Sequence, residues 1–285
     1  MTSAVIAAVP ARRRLRIAPL ALHAALILGA LIALFPLLWM VSASFMQTGM
    51  ANQYPPHLLP RHPTFAHYRE IFTRLSMGRF VLNSAIISLL VTGLSLFINS
   101  AAGYAFAKLR FRGRDKLFRG LMLGLVVPVQ VAMLPLFLLF KEMRLINTYW
   151  GVIIPSLASI FGIFLIRQYT LDIPDDLLDA ARIDGASEFR IYRSVVLPVI
   201  VPILATLAIW TFLTTWNDFM WPLIVLSDQS KMTLPVALAS LAGEHVQDTE
   251  LMMAGSVVTV LPVLLVFLFL QRYYVQGIMS GSVKG

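Results

Sequence analysis

The sequence predicts an all-α integral membrane protein with six transmembrane helices, and three observations carry that prediction. Of its 285 residues, 58% are hydrophobic and only 13% are charged, a balance far from that of soluble domains. The apolar residues gather into six runs, roughly 20–44, 81–107, 118–140, 149–166, 197–226 and 252–270. Each meets or approaches the about 20 residues that a helix needs to cross about 30 Å of hydrocarbon. Lys and Arg also alternate in density from one connection to the next, sixteen falling on one side and seven on the other.

The N-terminal tail, 1–19, carries Arg12, Arg13, Arg14 and Arg16 ahead of an apolar stretch, as a secretory signal peptide would. The stretch from Ala18 to Phe45 exceeds a signal's apolar segment and further spans follow, so 20–44 reads as an uncleaved first helix. A connection at 45–77 leads to the core, 78–274. In the second span Ser84, Ser88, Thr92, Ser95 and Asn99 recur at intervals of 4, 4, 3 and 4, which sets them on one narrow helical face that should turn from lipid. Such a face serves either close packing between helices or a wall of a translocation path. The fourth span, 149–166, is the shortest, with Tyr149 and Trp150 at one edge and Arg167 at the other. The fifth contains Asp218, nineteen residues beyond Val199; at 1.5 Å per residue that is about 28 Å, which places it at the opposite surface. After the sixth span, 275–285 reads as a solvated tail.

Orientation follows from the basic residues, which are retained in the cytoplasm. The richer set comprises the N-terminal arginines; Lys108, Arg110, Arg112, Arg114, Lys116 and Arg119; Arg167, Arg182, Arg190 and Arg193; and Arg272 and Lys284. The poorer set is Arg61, Arg69, Arg74, Arg79, Lys141, Arg144 and Lys231. Both termini are therefore expected inside. Trp39, Trp150, Trp216 and Trp221 fall near expected outer ends, where indole rings favour the interface. The net charge of +9 suits the cytoplasmic leaflet better than nucleic acid, because the basic residues form no aromatic-interleaved patch. The absence of cysteine removes disulfides, thiolate chemistry and Cys-based metal sites. The five histidines, His23, His57, His62, His67 and His245, are scattered and suggest neither a metal site nor a membrane-embedded enzyme. A secondary transporter would place charges within its spans for ion coupling, and the expected spans contain almost none.

Residues 167–196 form the long hydrophilic connection on the basic side. Pro174 suits a first helical turn, and Asp175 and Asp176 complement the positive end of the helix dipole. Leu177, Leu178 and Ala181 give a short apolar face, and Gly185 can end the helix in a left-handed cap. Ser187 can then cap a second helix through Glu188, Phe189 and Ile191, and Pro198 opens the fifth span. A rim of Asp172, Asp175, Asp176, Asp179, Asp184 and Glu188 outnumbers the four arginines. That is a poor surface for resting on anionic lipid and a suitable one for docking a protein.

This loop resembles the signature of permease subunits in binding-protein-dependent ATP-binding-cassette importers: Glu-Ala-Ala, three residues, Gly, nine residues, then Ile-x-Leu-Pro. Here stand Asp179-Ala180-Ala181, then Gly185, Val195 and Leu197-Pro198, with Asp in place of Glu and Val in place of Ile. Gly103-Tyr104-Ala105-Phe106-Ala107, Ile183-Asp184-Gly185-Ala186-Ser187, Trp216-Asn217-Asp218-Phe219 and Gly281-Ser282-Val283-Lys284-Gly285 extend the resemblance to the carbohydrate branch, similar to the smaller maltose-type permease and its glycerol-phosphate and sugar relatives.

The resemblance implies the type I importer permease architecture and a division of labour. Asp179, Ala180, Ala181, Asp184, Gly185, Ser187, Leu197 and Pro198 would form the coupling loop to a separate nucleotide-binding subunit. ATP and Mg would be bound there and not on this chain, which has no Gly-x4-Gly-Lys-Ser/Thr phosphate loop. The implied partners are a second permease subunit, two ATPase subunits, an extracytoplasmic solute-binding protein facing Glu244, Asp248 and Glu250, and membrane lipid. Lys284 and Gly285 would reach toward the ATPase subunits. The cargo would be a sugar, or alternatively glycerol phosphate, a polyol or another small polar solute.

Overall fold

A computed structural model describes residues 17–55, 57–244 and 248–282. The arginines at 12–16 and the pair Lys284 and Gly285 lie outside the described residues. Helix α1 (Ile17–Ala43) is apolar on every side, so no face is selected for a protein interior. None of its most apolar stretch is buried. Its far end packs into the chain where Ala43, Met46 and Ala51 meet Met253. Helix α2 (Ala66–Thr73) is short and amphipathic, burying His67 and Ile71, and α3 (Met77–Lys108) follows as a 32-residue span.

The third expected span, 118–140, is not a straight helix. It is built from α4 (Arg114–Leu123), a 3-10 turn at Gly124–Val126 and α5 (Val129–Glu142), bent by 106° at the join. The cause is local: Pro128 has no amide hydrogen to continue the ladder, and it forces Val127 into an extended conformation. Six spans are reached only by counting this bent pair as one.

The fourth span is longer than expected. It joins α6 (Tyr149–Ile153), a 3-10 turn at Ile154–Ser156 and α7 (Ile160–Leu171) into an apolar segment from Tyr149 to Leu171. Arg167 does not end it, because the guanidinium lies 4.2 Å over the ring of Phe118 and donates to the Phe106 carbonyl. A cation so accommodated can stay on the helix.

The fifth span is displaced from 197–226. After α8 (Asp175–Ile183), it begins with α9 (Glu188–Ile191), passes through a π turn at Tyr192–Val196 and continues as α10 (Leu197–Trp216). It ends at Trp216, where the Asn217 side chain turns back to donate to the Leu213 carbonyl at 2.8 Å. Helix α11 (Met220–Val225) is separate. Helix α12 (Leu234–Glu244) precedes α13 (Thr249–Ser282), which carries the sixth span and remains helical through most of the expected tail.

Three buried clusters hold these helices together. Near α2 and α12, Phe80, Phe212, Trp216, Leu234 and Leu251 pack together. At the opposite end Tyr104, Ile166, Leu178, Ile191, Tyr192 and Ile200 do so. Between them Ile87, Val91, Phe140, Val152 and Trp221 form the third. Trp216 and Trp221 are thus core residues: the Trp216 indole donates to the Thr259 carbonyl and that of Trp221 to the Gly151 carbonyl. Neither ring is an interface anchor: Trp216 is buried against Phe212 and Trp221 against Phe140.

Candidate functional site

The α8–α9 loop is assembled by local rules. Asp175 and Asp176 occupy the first turn of α8, Gly185 ends it with φ of +79°, and Ser187 Oγ accepts from the Arg190 amide to start α9. No atom lies within 4 Å of where a Gly185 side chain would begin, so its requirement for glycine is conformational rather than steric.

The loop is fixed to α3 by three side chains spaced four apart on one face. Ser100 Oγ and the Tyr192 hydroxyl are 2.6 Å apart. The Tyr104 hydroxyl donates to Glu188 Oε2 at 2.6 Å. Lys108 Nζ donates to the Ile173 carbonyl at 2.6 Å, to Asp175 Oδ1 at 2.7 Å and, more weakly, to the Leu171 carbonyl. Although Asp175 is exposed, the Lys108 side chain is only 6% exposed, so its charge is compensated by an ion pair and helix-end carbonyls together. Hydrogen bonding to Lys108, then its charge, hold the Asp175 carboxyl below the usual carboxylate range. Arg182 joins the two halves of the loop, donating to Asp179 at 2.6 Å and to Glu188 at 2.8 Å.

These contacts alter the meaning of the acidic rim. Asp175, Asp179 and Glu188 are engaged inside the chain, and Leu178 is buried with Ala181 packed beside it. What the loop presents outward is mixed: Ile183 is 86% exposed, Phe189 64% and Leu177 51%, with Asp176, Ala180, Asp184, Gly185 and Ser187 also exposed. Leu197 is half-buried and Pro198 exposed where α10 begins. Tyr104 and Lys108, the residues that hold this surface in place, stood in the sequence only as part of a resemblance stretch and as one of the orienting cations, not as anchors of this loop. Their signal was the four-residue spacing at the end of the second span.

The polar stripe on α3 is largely used within the chain. Ser84 Oγ accepts from the Leu234 amide at 2.7 Å, at the start of α12. Asn99 donates to Ser95 Oγ at 2.7 Å and accepts from the Ser159 amide at 3.0 Å, serving the interruption before α7. A backbone break at membrane depth needs such a partner. Thr92 donates to the Ser88 carbonyl, while the buried Ser88 hydroxyl has no partner. Ser95 lies in the wall of an open cavity.

Of the three acids expected to face a binding protein, Glu250 is fully buried. Its Oε1 accepts from the Ala51 amide at 2.7 Å, so it fastens the connection after α1 to the first turn of α13 and is not a surface residue. Asp248 caps α13 by accepting from the Leu251 amide and lies 4.0 Å from the His67 ring. Glu244 closes α12.

Residues 99–280 match the family described as "Binding-protein-dependent transport system inner membrane component". The arabinooligosaccharides transport system permease protein AraQ of Halalkalibacterium halodurans is 39% identical over 263 residues, covering 90% of this chain and 93% of its own. The lactose transport system permease protein LacG of Rhizobium radiobacter is 33% identical, covering 95% and 98%. The sn-glycerol-3-phosphate transport system permease protein UgpE of Pectobacterium atrosepticum is 32% identical, covering 91% and 95%. Among solved structures, a chain of a bacterial ABC transporter involved in the import of the acidic polysaccharide alginate matches with a TM-score of 0.81 and 26% identity, over 92% of this chain and 98% of that one. The fold is shared at lower identity, 15% with a TM-score of 0.65, by a chain of the alginate transporter in complex with a periplasmic protein bound to an alginate pentasaccharide. Because the matched segment contains the whole α8–α9 loop and the relatives align over most of the chain, this protein belongs to the family of inner-membrane components of binding-protein-dependent transport systems, with the type I importer permease architecture.

Proposed function

We propose that this chain is the membrane-spanning permease subunit of an ATP-driven sugar importer. It forms half of the translocation path and receives its motion through the α8–α9 loop from a separate ATPase subunit. The observation that carries the reading is the loop's construction: an outward surface of Leu177, Ile183 and Phe189 on a base fixed to α3 by Tyr104 and Lys108. Exposed apolar residues on a rigid base suit a protein partner better than solvent. The relatives named for arabinooligosaccharide and lactose transport support a sugar as cargo; the one named for glycerol phosphate supports the second reading, a small anionic solute.

In this assembly ATP and Mg sit on two ATPase subunits and an extracytoplasmic binding protein delivers the solute. A second, non-identical permease completes the path. Both termini are cytoplasmic, a reading supported by the basic residues around α4 and the α8–α9 loop. The test is Gly185→Val. No neighbour obstructs the new side chain, but the left-handed backbone should cost about 1–2 kcal/mol. The variant should insert in the membrane normally and lose ATPase-subunit co-purification and transport together. Normal transport in that variant would refute the coupling role.

A further inference from the structure

The hydroxyl stripe of α3 is largely spent inside the chain, whereas α10 carries another polar face that borders open space, although Thr214 donates to the Trp210 and Thr211 carbonyls and Asp218 accepts from the Trp221 amide. Trp210, Thr211, Thr214, Thr215 and Asp218 follow one another at steps of one, three, one and three, which sets them along one side of the helix and its exit. They border a cavity of about 420 Å³, whose other walls include Ser95 on α3, Ser156 and Ser159 before α7, Trp221 on α11, and apolar residues of α5. That size falls within the roughly 300–1,000 Å³ of small-molecule sites.

The lining has the chemistry of a sugar ring's two surfaces. Trp221 is locked by its indole bond to Gly151 at 2.9 Å and by an edge contact with Phe140 at 5.9 Å. Trp210 is 56% exposed and packs 6.0 Å from Phe161. The exposed Trp210 ring suits the C–H face of a pyranose or furanose, with the buried Trp221 backing the wall, and hydroxyl groups suit the sugar's rim. Ser159 already accepts from the Gly162 amide and retains its own proton to donate, whereas Ser95 is fully buried beneath this wall and accepts from Asn99. Thr214 donates to the Trp210 carbonyl and therefore offers lone pairs. Asp218 can only accept while ionised, and no Lys, Arg or His lines the cavity among the described residues.

We propose that this cavity is the chain's share of the solute path, and that Asp218, the one charged residue among the described lining, admits neutral saccharides and opposes phosphorylated or uronic-acid solutes. The proposal rests on the sugar-importer reading and narrows it, since the relatives and structural neighbour are named for both neutral and anionic cargo.

The test uses the assembled importer and exploits the cysteine-free chain. Thr215→Cys is labelled with cationic and anionic methanethiosulfonates of similar size, with and without maltotriose, arabinotriose or trigalacturonate. The cationic reagent should react about tenfold faster or more, the bias expected of a charged cleft, and Asp218→Asn should remove the bias while leaving assembly intact. The neutral trisaccharides should protect the cysteine and trigalacturonate should not. Uptake of labelled neutral oligosaccharides and of glycerol 3-phosphate by the unsubstituted importer is measured in parallel. Neutral uptake without charge bias or protection overturns the cavity assignment alone. Uptake confined to the anionic solute overturns the sugar reading and the cavity assignment together.

Discussion

Lys108 shows how far a single side chain's role can depend on residues remote in sequence. In the sequence it is one of five basic residues between the second and third spans; in the structure its ammonium closes the end of α7 and the start of α8. Lys108→Met keeps much of the side-chain volume and removes those bonds. Leaving the buried Ile173 carbonyl unpaired should cost about 1–3 kcal/mol, read as a lower thermal midpoint of the purified complex and fewer solutes moved per ATP. The pair also fixes a pH expectation. Because Lys108 lowers the Asp175 carboxyl in the folded state, its contribution is complete above the ordinary carboxylate pKa of about 4 and is lost as pH falls through the lowered folded value. Uptake should therefore show no step from this pair between about pH 6 and 8. Glu250 makes the complementary point. Its sequence neighbours suggested an exposed acid, but its hydrogen-bond partner is Ala51, 199 residues away. Glu250→Gln should retain that bond through its amide oxygen, whereas Glu250→Ala should expose residues 44–53 to limited proteolysis.

Among the elements, the α8–α9 loop was legible because its determinants are local: Asp175 and Asp176 at a helix start, Gly185 at a left-handed cap and Ser187 at the next start all act within a few residues. The bend between α4 and α5 escaped a hydropathy reading because Val127 and Pro128 are as apolar as the residues around them. What breaks the helix is a missing amide hydrogen, which hydropathy does not register. The contact between α3 and α7 was half legible. The stripe announced a packed face, but not that Gly103 would press so closely on α7 that an added side-chain carbon would lie 2.6 Å from Ile166 Cγ2 and 3.0 Å from the Arg167 amide nitrogen. Gly103→Ala should therefore separate the two helices at a cost of about 1–3 kcal/mol, measurable as a fall in thermal stability larger than that of Gly93→Ala, where the space is open.

For the whole molecule, composition and run lengths gave the class and the approximate number of crossings, while the ends of the third, fourth and fifth spans depended on tertiary contacts. The proposed orientation has a direct check. A cysteine at Ser187 should be labelled only from the cytoplasmic side and one at Ser227, in the connection before α12, only from the other. Labelling in the reverse sense would overturn the topology. The bent pair α4–α5 bears on motion at this scale. No α4 side chain is buried and only Phe140 is buried on α5, whereas α3, α7 and α10 interlock along their lengths through Gly103, Asn99 and the surrounding core. The cavity beside Asp218 is thus a chamber with stiff sides and one more lightly held wall, which meets the core through Phe140 against Trp221 with Met133, Leu136 and Phe137 half-buried beside it, and touches α7 where Phe118 meets Arg167. Swinging that wall from its proline-made elbow would change the chamber's volume while sparing the rest of the fold.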